Sequence, residues 1–215
     1  MKKSIILSVL FFGLILMGNA QTTETKLEPA GIFKTIDIAR HNKAIELLQG
    51  QNEEAKKQIM DSIKQNPNYY NPTVFYEYSR QLFNAGLKYE ASYWFYLAQL
   101  RARYDANLSA DNSAKGEVSE LNNEYGTPIN QYAFGSIDSL KLTVKKVIDF
   151  VSANNENYDH RWINLYGMWA FQASLNKDEK TKELSRPKDQ WPEIKTKTIN
   201  DYYNGFTEAL KSLNK

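Results

Sequence analysis

The stretch Lys88–Tyr104, KYEASYWFYLAQLRARY, decides the fold. Ala91, Trp94, Phe95, Ala98 and Ala102 recur at helical spacing and mark one face; Tyr89, Tyr93, Tyr96, Leu97, Leu100 and Tyr104 mark another. A helix that is apolar on nearly all sides has to be covered on nearly all sides. The pattern therefore predicts a central helix with the remaining helices packed around it, in an all-α protein.

Upstream of this rod the chain reads as helix, short turn, helix, twice over. A first helix spans 36–48 and is broken at Gly50; a second opens at Asn52-Glu53-Glu54, with acidic residues where the helix dipole favours them, and stops at Asn66-Pro67. Asn71-Pro72 opens the third, with Pro at a tolerated first position and Phe75, Tyr78, Leu82 and Phe83 as its stripe. Downstream, 110–125 is a fifth helix that Gly126 ends and Pro128 forbids from continuing, so 127–135 is predicted to be a loop. Ser136 or Asp138 caps a sixth helix carrying Ile137, Leu140, Val144, Val147, Ile148 and Val151. After a polar break at 154–158, Asp159 caps a seventh, buried helix, DHRWINLYGMWAFQASL; 177–188 is a charged, solvated loop; Trp191-Pro192 starts the last helix. No segment alternates as a strand should. The whole reads as an array of about eight helices.

The two helix pairs are related by a fixed step. Gly50 and Gly86, Ala55 and Ala91, and Ile59 and Phe95 all stand 36 residues apart, the mark of stacked helical hairpins. Gly86, Ala91, Phe95 and Ala98, with Phe75 and Leu82 before them, resemble the tetratricopeptide repeat. Gly50, Ala55, Ile59, Ser62 and Pro67 fit an earlier copy. Lys43, where a small residue belongs, and Arg103, in place of a proline, depart from the pattern. The resemblance covers 36–105 as two hairpins and implies that 106–215 completes the array as a C-terminal helical cap. It also implies a concave groove into which Thr73, Tyr76, Arg80 and Phe83 point, joined by Asp37, Arg40, Ala44 and Leu47 of the first copy. Such a groove would suit an extended peptide or a partner's loop.

The N-terminus reads as an export signal: Lys2-Lys3, an apolar run from Ile5 to Met17, then Gly18-Asn19-Ala20 with small residues where a signal peptidase cuts. Cleavage after Ala20 would leave a mobile leader over 21–35 and a single all-helical domain over 36–215, addressed to the bacterial periplasm. The run is shorter than the roughly 20 residues a membrane span needs, and no later run is long enough to cross. Removing Lys2 and Lys3 from 27 basic against 25 acidic residues leaves a neutral chain, which gives no support for nucleic-acid binding. With no cysteine, the core alone supplies the stability of an exported protein; 13% aromatic residues provide the material.

Chemistry-bearing motifs are few. Thiol catalysis is excluded, and His41 and His160 lack ligand spacing, so no metal and no cofactor is expected. Asp159-His160-Arg161 reads as a helix cap beside a structural pair, or as a polar group at the mouth of a cleft. Arg101, Arg103, Asp105 and Asp111 read as a salt-bridged helix end, or as a carboxylate-binding pocket. Asn130 and Gln131, with Tyr132, could hold sugars, or satisfy backbone groups in a buried loop. The leading expectation is an exported, non-catalytic binding protein for a protein or peptide partner, acting as an adaptor, inhibitor or immunity-type protein, through Tyr76, Arg80, Phe83 and Arg40. The alternative is an envelope hydrolase or glycan-binding protein using a cleft near His160 and Arg161. A structural subunit of a larger envelope assembly is the third.

Overall fold

A computed structural model describes residues 28–175 and 183–213. The proposed signal and the start of the leader lie outside the described residues. Eight α-helices follow in order: α1 Ala39–Gln49, α2 Glu53–Gln65, α3 Pro72–Asn84, α4 Lys88–Leu108, α5 Gly116–Ala133, α6 Ile137–Ala153, α7 Met168–Leu175 and α8 Trp191–Leu213. Short 3₁₀ turns lie between α2 and α3, α4 and α5, α6 and α7, and before α8, and among the described residues the only β-pairing is an isolated antiparallel bridge between Ser109 and Ser185. No described helix is long and apolar enough to cross a membrane.

The rod is α4, and it lies at the centre. It packs on α3, α5, α6 and α8, and 14 of its 21 residues are buried. Phe95, Leu97, Ala98, Leu100 and Ala102 have no exposure at all. Full burial of each large apolar side chain contributes about 1.5–3 kcal/mol, so no other helix concentrates as much of the core. The aromatics interlock: Trp94 meets Phe75 at 5.3 Å and Tyr78 at 5.0 Å between ring centres, and Phe95 meets Tyr76 edge-on at 5.7 Å.

The hairpin ends are built as their sequences require. Asn52 caps α2 by accepting from the Ala55 N–H at 3.0 Å. Gly86 has φ +83°, the left-handed conformation that lets the Leu87 N–H reach back to the Leu82 carbonyl at 2.9 Å and close α3. Gly50, its counterpart one step earlier, has φ −67° and ends α1 without that turn.

Four expectations need correction. First, Gly126 and Pro128 do not end the fifth helix; α5 runs through both, and the expected loop is its last two turns. Gly126 is there for close approach: a Cβ would sit 3.0 Å from Phe95 Cζ. Pro128 lies on the exposed side of α5, where water can take the Glu124 carbonyl that its missing N–H leaves free. Second, the seventh helix is not continuous. His160–Tyr166 is a 3₁₀ turn, and the chain breaks at Gly167 before α7. A Cβ on Gly167 would collide with Asp111 Oδ2; Asp111 accepts from the Trp169 N–H at 2.9 Å and holds this corner. Third, that segment is not buried throughout. Trp162 and Ile163 are, but Tyr166, Met168, Phe171 and Leu175 are 55, 53, 46 and 62% exposed. Fourth, neither the leader nor the charged loop is free over its described part. Phe33 and Leu184 are buried in a second, smaller core with Ile36, Ala170 and Ala173.

Candidate functional site

The groove candidates Tyr76, Arg80 and Phe83 are occupied. Tyr76 is fully buried, its ring on Phe95 and Tyr125 and its hydroxyl donating to Asn122 Oδ1 at 2.8 Å. Arg80 is pinned by Glu77, pairs with Glu124 at 3.4 Å and stacks over Tyr125. Phe83 is half-buried against Tyr132 and Lys88. α5 thus fills the face that the hairpin resemblance left open. Arg40 is exposed, over the Tyr69 ring. Asn130 accepts from the Tyr96 hydroxyl at 2.9 Å, inside α5 rather than in a loop, and Gln131 is exposed.

The cluster at the end of the rod does not pair as a salt-bridged helix end. Arg103 lies over Tyr202 and donates to the Gln99 carbonyl at 3.4 Å. Asp111 caps the turn at Ser113. Arg101 and Asp105, one turn apart on α4, instead face 154–158, the polar break; Asp105 and Glu156 line the floor of a cleft of about 760 Å³ between α4, α6 and α8, and Arg101 is fully buried and paired with Glu156. Its walls include Tyr104, Trp191, Pro192 and Ile199; its polar lining includes Asn155, Glu156, Lys195 and His160.

The floor rests on a connected polar set. Asp105 Oδ2 accepts from Trp162 Nε1 at 2.7 Å and from the Tyr158 hydroxyl at 3.0 Å. Arg101, with no exposure, donates to the Pro67 carbonyl at 3.2 Å and to Asn68 Oδ1 at 2.5 Å. Glu156 is held between cations: Lys195 Nζ at 3.2 Å, which also donates to the Asn154 carbonyl at 2.6 Å, and Arg101 Nε at 3.5 Å, an ion pair too poorly aligned for a hydrogen bond. Burial, then the nearby Glu156, push the Asp105 carboxyl well above its usual range against the Trp162 bond that lowers it. Burial, then the Asp105 charge, likewise raise the Tyr158 hydroxyl.

Three atoms of this polar set are left over. Arg101 Nε, Asp105 Oδ1 and Glu156 Oε1 are closed off from solvent and have no hydrogen-bond partner. Each such vacancy costs about 1–3 kcal/mol, and buried polar atoms are otherwise nearly always paired.

His160 stands at the edge of the same cleft, its ring edge-on to Trp191 at 4.6 Å and Nε2 2.7 Å from Ser185 Oγ. Burial lowers its pKa, which keeps it neutral near pH 7. Among the described residues no carboxylate bonds Nδ1, because Asp159 is committed to Arg161 and to the Asp37 N–H. Without that orienting acid the pair lacks the third member a nucleophilic triad uses. Asp159 does cap its turn, through the Arg161 N–H at 3.0 Å, and Arg161 ties that turn to the Thr35 carbonyl at 3.1 Å. Among the described residues no three His, Asp or Glu side chains are grouped as a metal ion would need.

Sequence reasoning reached His160, Arg101 and Asp105 but missed Glu156, Lys195 and Trp191. Their one local signal is a lone Glu in the Asn-rich break 154–158, enough to mark a polar loop but not its partner. Compared with protein-family models, with curated proteins and with solved structures, the chain matches none.

Proposed function

We propose that this chain is an exported, non-catalytic binding protein and that it holds its ligand in the cleft between α4, α6 and α8. The carrying observation is the cleft itself, where the buried carboxyls of Asp105 and Glu156 meet Lys195 and His160 beside the aromatic walls of Tyr104 and Trp191. Large pockets with a few convergent polar groups are where ligands bind. The signal-like N-terminus supports export, and the His160–Ser185 pair without an orienting acid favours binding over hydrolysis. The test is calorimetric titration of the purified protein with size-fractionated envelope extract, beside Trp191→Ala. Heat of binding in the wild type and not in the variant is expected; equal heats in both would move the site elsewhere.

A second reading, a protein partner on the outer face, has its own support. Tyr166, Met168, Phe171 and Leu175 are exposed in near succession, a pattern that marks interaction surfaces. Glu117 lies near enough to influence Tyr166 and is half-buried, its pKa raised to about 7 by burial and then by Glu120 and Glu124. A partner segment with Lys or Arg beside apolar anchors suits this face. Phe171→Asp should abolish such a complex and leave cleft binding intact.

A further inference from the structure

We infer that a second pocket, between the start of α4, the end of α5 and the start of α6, is a binding site separate from the cleft, and that it takes a phosphoryl group. The pocket holds about 270 Å³. The polar side chains that line it are all hydroxyls: Tyr89 and Ser92 from α4, Tyr132 from α5, and Ser136, Ser139 and Thr143 at or near the start of α6. No acidic residue lines it. Ser92 and Thr143 are buried at its base, while Tyr89, Tyr132 and Ser136 are exposed, so the pocket opens to solvent.

Two ammonium groups border this pocket. Lys146 Nζ donates to the Tyr89 hydroxyl at 3.2 Å, and Lys88 Nζ lies 5.8 Å from the centre of the Tyr132 ring. The acids nearby belong to other lysines: Glu90 pairs with Lys64, Asp138 with Lys141 and Asp149 with Lys145. Among the described residues Lys88 and Lys146 have no ion-pair partner. The Lys146 bond, then one with Thr143, also lowers the Tyr89 hydroxyl below its usual range, as a positive surrounding does. The Ser136 hydroxyl donates to Ser139 Oγ at 3.0 Å, and the Ser139 and Tyr132 protons find no acceptor among the described residues. Ammonium groups only donate, so the pocket and its rim select an anion. Its donors come singly from three helices, with no guanidinium fork among them. A planar carboxylate is matched by such a fork. Point donors spread around a cavity match the oxygens of a tetrahedral group, and the two charges of a phosphate monoester match two lysines. Leu87, Phe134 and Leu142, next in sequence or on the same helix face, are exposed, so the body carrying the phosphate can be apolar. A small phosphate ester and a phospholipid head group present this same chemistry.

The experiment is calorimetric titration of the purified protein with phenyl phosphate, glycerol 3-phosphate and inorganic phosphate, with phenylacetate as the carboxylate control. Co-sedimentation with phosphatidylcholine vesicles, with and without phosphatidic acid, forms the lipid arm. Binding of at least one phosphate compound below about 10 mM is expected. Lys88→Gln and Lys146→Gln, both exposed and without partners to strand, should each weaken it roughly fivefold, and together tenfold or more. Ser139→Ala with Tyr132→Phe changes no charge and should weaken it roughly threefold or more. Trp191→Ala, in the cleft, should change nothing. Binding of a soluble ester assigns the site to a small molecule, and binding of phosphatidic acid vesicles alone assigns it to a lipid; either supports the site when the lysine and hydroxyl variants both lose it. No binding in either arm overturns the inference, as does phenylacetate binding as tightly as phenyl phosphate. Loss in the lysine variants but not in the hydroxyl variant reduces the effect to surface charge and also overturns it. A loss in Trp191→Ala alone moves the anion to the cleft and overturns this site while leaving the cleft reading intact.

Discussion

Replacing Arg101 by Met tests how the floor of the cleft is held. Met keeps the apolar length that lies against Phe75 and Phe150, where the guanidinium carbon sits 5.7 and 5.2 Å from the ring centres. It removes the donors to the Pro67 carbonyl and Asn68 Oδ1, and one of the two cations at Glu156. Breaking a buried ion pair by deleting one partner costs about 3–5 kcal/mol. Lys195 remains 3.2 Å from Glu156, so the lower end, about 3 kcal/mol, is the expected loss. Glu156→Gln should cost less, because the amide oxygen can still accept from Lys195 Nζ. The double variant should recover about 1–2 kcal/mol relative to the sum, since removing both charges leaves neither stranded. Urea unfolding followed by far-ultraviolet dichroism measures all three, with unchanged m-values as the check on two-state behaviour. A loss under about 1 kcal/mol for Arg101→Met, additive with Glu156→Gln, would refute the coupling.

Gly126→Ala is expected to destabilise by about 1–2 kcal/mol despite the better helix propensity of Ala, because its Cβ meets the fully buried Phe95 ring; Gly205→Ala, in α8 with open space around it, should stabilise by about 0.5–1 kcal/mol, and thermal melts of the pair give the signs. His41 is held neutral by burial, its pKa lowered to about 4, and Nδ1 accepts from the Asn71 N–H at 3.3 Å. The unfolded chain therefore binds this proton first, so stability is complete above about pH 6.5 and falls as pH drops through 4. The loss is at most about 3 kcal/mol, and a His41→Gln variant should show a flatter acid limb in urea titrations at stepped pH. Trp162→Phe should cost about 1–2 kcal/mol by removing the shorter of the two hydrogen bonds that Asp105 Oδ2 accepts, read by the same unfolding assay.

What the sequence made legible was what periodicity carries. The rod, the caps at Asn52 and Asp159 and the all-α class follow from apolar spacing and local hydrogen bonding. What it hid depended on neighbours far along the chain. Gly126 signals a helix end by type, but Phe95, some 30 residues earlier, is what requires a glycine there. Leu184 lies in a charged stretch, and only the Phe33 cluster explains its burial. The cleft joins α4 to 154–158 and α8, so Asp105, Glu156 and Lys195 carry no shared motif. Tyr76 and Arg80 show the converse: the hairpin resemblance offers them to a groove, and α5, which it does not describe, covers them.

Hydrogen–deuterium exchange with and without the bound ligand tests the account most directly, because it reports every face at once. With ligand, peptides covering 154–160 and 191–200 should slow, while 76–83 and 168–175 stay unchanged. Slowing confined to 76–83 or 168–175, with the cleft segments unaffected, would contradict the account.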